Sequence, residues 1–154
     1  MQSSALQRDM LYKPLKNREI RLLVLHPAAF HEPLICHLTT CCLDQRPAYD
    51  ALSYTWGGPG EGKSITLNGT PWEVTANLEQ ALLHLRLENE DLVLWVDALC
   101  IDQSGLEEKG HQVVMMGDIY RLATHIRAWI GLIGDSSIPD IRHRRCSKHS
   151  QLDS

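Results

Sequence analysis

Several features that define whole classes of protein are missing from this 154-residue chain. No apolar stretch approaches the roughly 20 residues that a helix needs to cross a bilayer, so we expect no membrane span. The formal net charge of -4 provides no basic field for phosphates, so nucleic-acid binding is not expected. The five cysteines follow no disulfide-framework spacing, and no signal-peptide pattern opens the chain. These features predict a soluble domain in the reducing cytoplasm.

The apolar content of 44% is enough for the core of one ordinary globular domain. The hydrophobic patterns predict strands at 20–25 and 33–43, a strand end near Trp56, a hairpin at 64–75, a helix from Asn77, a central strand at 92–96, a helix at 106–123 and a strand at 125–132. This order predicts an α/β domain with a mixed, largely parallel sheet flanked by helices. We place the domain at residues 18–134, after a flexible lead-in at 1–17 and before a disordered basic tail at 135–154.

Two local signals are clear in the middle of the chain. Asn68 followed by Gly69 accepts the positive φ values of a type I′ turn, which predicts the hairpin. Asn77 is the predicted cap of the first long helix, with Gln80 reaching back to it. Leu78, Ala81, Leu82 and Leu85 recur at the spacing of one helical face and predict its buried side. Arg86 is expected to point outward or sideways.

Asp97 and Gln103 follow the apolar run at 92–96, and an open α/β sheet binds its ligands outside the carboxyl ends of its strands. Tyr54 and Trp56 precede a glycine-rich loop that begins at Gly57. The two aromatic rings could stack on a planar ligand while bare backbone approaches its polar atoms. The alternative is an aromatic strand end followed by a turn.

The helix at 106–123 has one apolar side and one small or polar side. Its apolar side carries Met115, Met116, Ile119 and Ala123, and its other side carries Gly110, Val114, Gly117, Asp118 and Arg121. Extending the apolar side backward brings in Glu108 and Gln112, so Glu108 should face inward. It is then either a structural cap that binds loop amides around Ser104 and Gly105, or a cleft carboxylate near Asp97 that is suited to acid/base chemistry.

Two other groups of residues have chemistry worth weighing. Cys100 could be a nucleophile with His111 as its base, but a cysteine between Leu99 and Ile101 is also typical of a buried apolar position. His31, Cys36, His37, Cys41 and Cys42 are metal-ligand types without any CxxC or HxxxH pair. We therefore expect no metal site.

Three ordered blocks of sequence resemble the fungal heterokaryon incompatibility (HET) domain family. They are YDALSYTWG at 49–57, LWVDALCIDQ at 94–103 and EKGHQVVMMGDIYRLA at 108–123. The family pattern is usually written YxALSYxWG, LWIDAICINQ and ERxxQVxxMxxIY. This chain departs from it at Asp102, Lys109 and Gly110. None of these changes alters the motif residues Tyr54, Trp56, Gly57, Asp97, Gln103, Glu108, Gln112 and Tyr120.

The resemblance implies a protein of fungal non-self recognition whose domain triggers programmed cell death as a signalling or interaction module, through self-association or another protein. It also implies a remote relation to TIR domains, some of which hydrolyse NAD with a glutamate in a cleft. In that alternative Glu108 and Asp97 would be catalytic, and NAD would be a substrate; no cofactor is expected. Tyr54, Trp56, Gly57, Gln103 and Gln112 would bind the substrate.

Overall fold

The computed structural model describes residues 5–54 and 62–129 of the chain. Its helices are α1 Ala5–Leu11, α2 Ala76–Leu85, α3 Asp97–Cys100 and α4 Leu106–Leu122. Its strands are β1 Glu19–Leu25, β2 Ile35–Cys42, β3 Asp50–Tyr54, β4 Gly62–Leu67, β5 Thr70–Thr75, β6 Leu92–Trp95 and β7 His125–Trp129. None of the described helices is long and apolar enough to cross a membrane.

The seven strands form one mixed sheet in the order β5-β4-β2-β1-β6-β3-β7. Strands β2, β4, β6, β3 and β7 run in one direction, while β1 and β5 run in the other. The predicted α/β class with a mixed, largely parallel sheet is therefore confirmed. The predicted central strand β6 is not the middle one: β1 is the fourth of the seven strands, and it pairs antiparallel with β2 and with β6. Burial of Ile20, Leu22, Leu23 and Leu25 on both faces of β1 accounts for its central place.

The hairpin and the first long helix begin as their sequences require, with one correction. Asn68 and Gly69 have φ values of 51° and 81°, so the predicted type I′ turn joins β4 and β5. The cap of α2 is Thr75 rather than the predicted Asn77, since Thr75 Oγ1 accepts the amide of Leu78 at 3.1 Å. Asn77 instead accepts the indole N–H of Trp129 at 3.1 Å. The predicted apolar face of α2 is buried against β4 and β5.

The segment before β1 differs from the predicted loose lead-in from residue 5 onward. It contains α1, and the ring of Tyr12 is buried against Trp72 in an edge-to-face contact with centroids 5.9 Å apart. The hydroxyl of Tyr12 donates to the carbonyl of Leu99 at 2.9 Å. This segment therefore packs on the domain. The predicted tail at 135–154 lies outside the described residues, and the predicted domain limits remain a prediction.

Candidate functional site

The carboxyl ends of β6, β3 and β7 lie at one edge of the sheet, because these three neighbouring strands are parallel. Tyr54 is the last residue of β3, and Asp97 follows β6 after a single residue. Burial, and then the negative charge of Asp97, raise the pKa of Tyr54 above its ordinary value. The same two causes raise the pKa of Tyr120 on α4 to about 12. The sequence motifs thus bring one carboxylate and two phenols to this edge.

Asp97 is positioned by an abrupt change from strand to helix. The amides of Leu99 and Cys100 both donate to the carbonyl of Val96, at 3.1 and 2.7 Å, so α3 begins directly after β6. The side chain of Gln103 then donates to the backbone carbonyl of Asp97 at 2.8 Å and closes the loop. The side-chain amide of Gln103, a predicted substrate-binding residue, is therefore already hydrogen-bonded within the protein.

Glu108 points inward from the first turn of α4, as its helical position requires, and meets Arg21 of β1. The two carboxylate oxygens accept from Arg21 Nη1 at 2.6 Å and Nη2 at 2.9 Å. A third hydrogen bond comes from the backbone amide of Asp102 at 2.9 Å. The side chains of Arg21 and Glu108 are 2% and 17% exposed, so this is a largely buried, bidentate ion pair.

The guanidinium of Arg21 also joins other parts of the chain to this pair. It donates to the carbonyls of Cys100 at 3.2 Å and Lys13 at 2.7 Å, and it lies over the ring of Tyr12 at 4.9 Å. The contacts of Glu108 with a loop amide match the structural-cap alternative, with Asp102 in place of the predicted Ser104 or Gly105. Glu108 thus binds Arg21 and the Asp102 amide, while Asp97 lies near Tyr54 and Tyr120.

Gln112, a predicted site residue, and Tyr120 also attach α4 to the sheet. Gln112 is buried, and its side-chain amide donates to the carbonyl of Glu19 at 3.1 Å. The hydroxyl of Tyr120 donates to the carbonyl of Leu52 at 3.4 Å, and its ring packs edge-to-face on Trp95. Trp56 and Gly57 lie outside the described residues, so their predicted place beside Tyr54 stays a prediction.

Cys100 is buried in the core, which matches the alternative to a nucleophilic role. Burial raises the pKa of its thiol to about 12, and its sulfur accepts the amide of Val96 at 3.4 Å. His111, the proposed base, is exposed on α4. A thiol that stays protonated near neutral pH is a poor nucleophile, so Cys100 belongs to the core.

The potential metal ligands lie at His31, in the loop after β1, and along β2. Burial raises the pKa of Cys36 to about 12, and His37 Nδ1 shares a hydrogen bond with His26 Nε2 at 2.9 Å. Within residues 5–54 and 62–129, no three His, Cys, Asp or Glu side chains are grouped so that they could hold a metal ion.

Arg86 was expected to point outward or sideways, and this prediction is wrong. Its side chain is buried and donates to the carbonyls of Pro33 at 2.7 Å, Glu32 at 2.8 Å, Phe30 at 3.1 Å and Ala29. The guanidinium has five donors, so it can bind several carbonyls of the loop between β1 and β2 at once. The helix pattern could not reveal this, because Arg86 lies just beyond the end of α2.

Sequence analysis also missed the charged residues inside strands. Asp50 accepts from His125 Nδ1 at 3.2 Å and from Arg127 Nε at 2.9 Å across the parallel strands β3 and β7. Arg21 lies in β1 between Ile20 and the apolar run Leu22–Leu25. A charge within a buried strand needs a partner, so each of these residues was a signal of an ion pair. The sequence does not identify the partners. The partner of Arg21 is Glu108, which lies 87 residues away.

Comparison with known proteins identifies the family. Residues 49–154 match the family described as Heterokaryon incompatibility protein (HET). The chain is 37% identical over 132 residues to Heterokaryon incompatibility protein 6, OR allele, of Neurospora crassa. That match covers 77% of this chain and 19% of the relative, so the chain spans about a fifth of the relative's length. No solved structure matches the chain. The family match and the resemblance of the three motif blocks agree, and the chain belongs to the heterokaryon incompatibility (HET) family.

Proposed function

We propose that this chain acts in fungal heterokaryon incompatibility, as a cytoplasmic interaction module that couples non-self recognition to programmed cell death. The family match and the relative in Neurospora crassa support the biological role. The contacts of Glu108 support a module rather than an enzyme. Its partner is protein, either a second copy or another chain, and nucleic acid has no part in the proposal.

The observation that carries this proposal is that both oxygens of the Glu108 carboxylate already accept hydrogen bonds within the protein. A general base must reach a proton of the substrate, and a nucleophile must reach its reacting carbon. Both oxygens of Glu108 are instead held by Arg21, and one of them also binds the Asp102 amide. The HET motif that contains Glu108 therefore has a structural use, which is to attach α4 to β1 and to the loop after α3.

The test compares two glutamates in a fungal host. Glu108→Gln removes the charge that neutralises Arg21, while Glu88→Gln changes an exposed residue outside α4. We expect the parent chain and Glu88→Gln to reduce viability without changing cellular NAD. We expect Glu108→Gln to lose the effect together with a fall in melting temperature, because Arg21 is left buried and unpaired.

NAD consumption that depends on Glu108 would contradict the proposal. If the parent consumes NAD, and Glu108→Gln stops this consumption at an unchanged melting temperature, then Glu108 is catalytic. The TIR-like hydrolase would replace the interaction module in that case. Purified chain incubated with NAD provides the same comparison without the cell, and Glu88→Gln is its control.

A further inference from the structure

The solvent side of α4 carries apolar and small residues where a free helix surface is normally charged. We define the α4 outer face as Glu107, Gly110, Val113, Val114, Gly117 and Arg121. Val113 is 52% exposed and Val114 is 84% exposed. These valines lie side by side on a helix that buries Gln112 instead. Core packing therefore does not explain why the outer face is apolar.

Packing within the described part of the molecule does not require the two glycines of this face. A Cβ atom built on Gly110 or on Gly117 meets no other atom within 4 Å. Glycine in a helix interior weakens the helix relative to alanine. Its lack of a side chain is useful where another backbone approaches closely. Gly110 and Gly117 flank the exposed valines on both sides, so they leave room for a second helix along the whole face.

The charges of the face have a spacing that fits a second copy of the same helix. Val114 is seven residues after Glu107 and seven residues before Arg121. Residues seven apart lie on the same side of a helix. In an antiparallel pair with its two-fold axis at Val114, Glu107 of each copy therefore faces Arg121 of the other. The side chain of Arg121 is 65% exposed, and its bond to Asp118 at 3.1 Å leaves other donors available.

We propose that the α4 outer face binds a second copy of this chain as an antiparallel, two-fold helix pair. The valines form the centre of the contact, the glycines allow close approach, and two Glu107–Arg121 ion pairs close its ends. Such self-complementarity is what a two-fold interface requires. The inference rests on the proposed function as an interaction module, and it names the partner of that module.

The small size of the face predicts weak, concentration-dependent association. A helix of 17 residues is about 25 Å long. One such pair buries less than the roughly 1,600 Å² of a standard stable interface. The full chain should therefore shift from monomer to dimer as its concentration rises in sedimentation velocity experiments. A parent chain that stays monomeric at every concentration would overturn the inference.

Charge reversal tests the proposed register. Glu107→Arg alone and Arg121→Glu alone each place two pairs of like charges at the ends of the contact. We expect either variant to raise the dimer dissociation constant by about 10-fold. The double variant restores opposite charges and should recover most of the affinity. Single variants that associate as the parent does, or a double variant without recovery, would exclude this register.

The glycines provide a test with two opposite effects. Gly110→Ala combined with Gly117→Ala should raise the melting temperature of the dilute monomer, because alanine favours helix and the space is open. The same variant should weaken dimerisation, because the added methyl groups separate the helices. A merely structural role for these positions predicts the first effect without the second, and that result would overturn the close contact.

Cross-linking locates the two-fold axis directly. Val114→Cys places two thiols at the axis, where they should form an intermolecular disulfide under mild oxidation. Leu106→Cys is the control, since its two copies would lie about 24 Å apart along an antiparallel pair. Equal cross-linking at both positions would contradict the proposal. Cell death is scored separately, so failure to dimerise with retained killing would leave the proposed function intact while this inference fails.

Discussion

The helices α2 and α4 flank the same sheet but differ in which residues they bury and which they expose. In α2 the buried residues are apolar, namely Leu78, Ala81, Leu82 and Leu85. In α4 the fully buried residues are Gln112 and Ile119, while Leu106, Val113 and Val114 are exposed. The outward helix face is thus more apolar in α4 than its position in a single domain explains.

This difference shows how each helix is attached. The α2 helix is held by apolar burial against β4 and β5, which requires no particular partner for any side chain. The α4 helix also packs Ile119 on the core, and it is held in addition by hydrogen bonds and an ion pair at specific points. These are Glu108 to Arg21, Gln112 to the Glu19 carbonyl, and the Tyr49 hydroxyl to the Ile119 carbonyl. Polar attachment is directional, so it fixes the position of α4 and leaves its outer face for other contacts.

The largest effect should come from breaking the ion pair of α4. Glu108→Ala leaves the buried guanidinium of Arg21 without its counter-charge, which costs about 4 kcal/mol of unfolding free energy. Glu107→Ala on the same turn should change it by less than about 0.5 kcal/mol, because Glu107 is exposed. Urea denaturation of both variants measures this contrast. A similar small change in both would show that the ion pair does not hold α4.

Removing apolar volume from α2 should have the next largest effect. Leu82 is fully buried, so Leu82→Ala should lower the unfolding free energy by about 3 kcal/mol through lost burial and a cavity. The matched change on α4, Val114→Ala, should be nearly neutral in the dilute monomer because Val114 is exposed. Thermal melting of both variants at low concentration provides the measurement. A large loss in Val114→Ala would mean that the outer face is covered within one chain.

High pH should loosen the attachment of α4, which depends on tyrosine. The hydroxyl of Tyr49 donates to the carbonyl of Ile119 at 2.5 Å, and burial raises its pKa to about 12. The folded chain therefore keeps this proton above pH 10 while the unfolded chain loses it, so stability falls as pH rises from about 10 toward 12. Each such tyrosine contributes about 1.4 kcal/mol per pH unit to this slope.

Tyr49→Phe isolates that contribution. It should be less stable than the parent at neutral pH, because it lacks the hydrogen bond to α4, and its stability should fall less steeply above pH 10. Denaturation at several pH values, together with tyrosinate absorbance, checks both effects. A slope equal to that of the parent would show that Tyr49 ionises normally in the folded chain.

The smallest effect concerns the beginning of α2. Thr75→Ala removes the oxygen that accepts the Leu78 amide and should cost about 1 kcal/mol. Thr75→Ser keeps an equivalent hydroxyl and is the control. Chemical denaturation distinguishes them, and equal stability of the alanine and serine variants would contradict the assignment of Thr75 as the cap.

The sequence predicted part of the candidate site. The period of α4 predicted that Glu108 faces inward, and the apolar run before Asp97 predicted a buried strand ending there. The partner of Glu108 could not be foreseen, because Arg21 lies on a strand 87 residues away and pairing across that distance depends on sheet order. The cap of α2 was misplaced by two residues, because Thr75 and Asn77 are both good capping residues and only backbone geometry separates them.

Apart from α1 and α3, the sequence by itself determined which segments become strands and helices, which face of α2 is apolar, and where the chain turns at Asn68 and Gly69. Those features follow from the spacing of side chains and from local backbone preferences, which act within a few residues. Only the tertiary structure decided that β1 occupies the centre of the sheet and that Arg21 neutralises Glu108. Strand order and charge pairing join distant segments, and many alternative partners satisfy the same local rules.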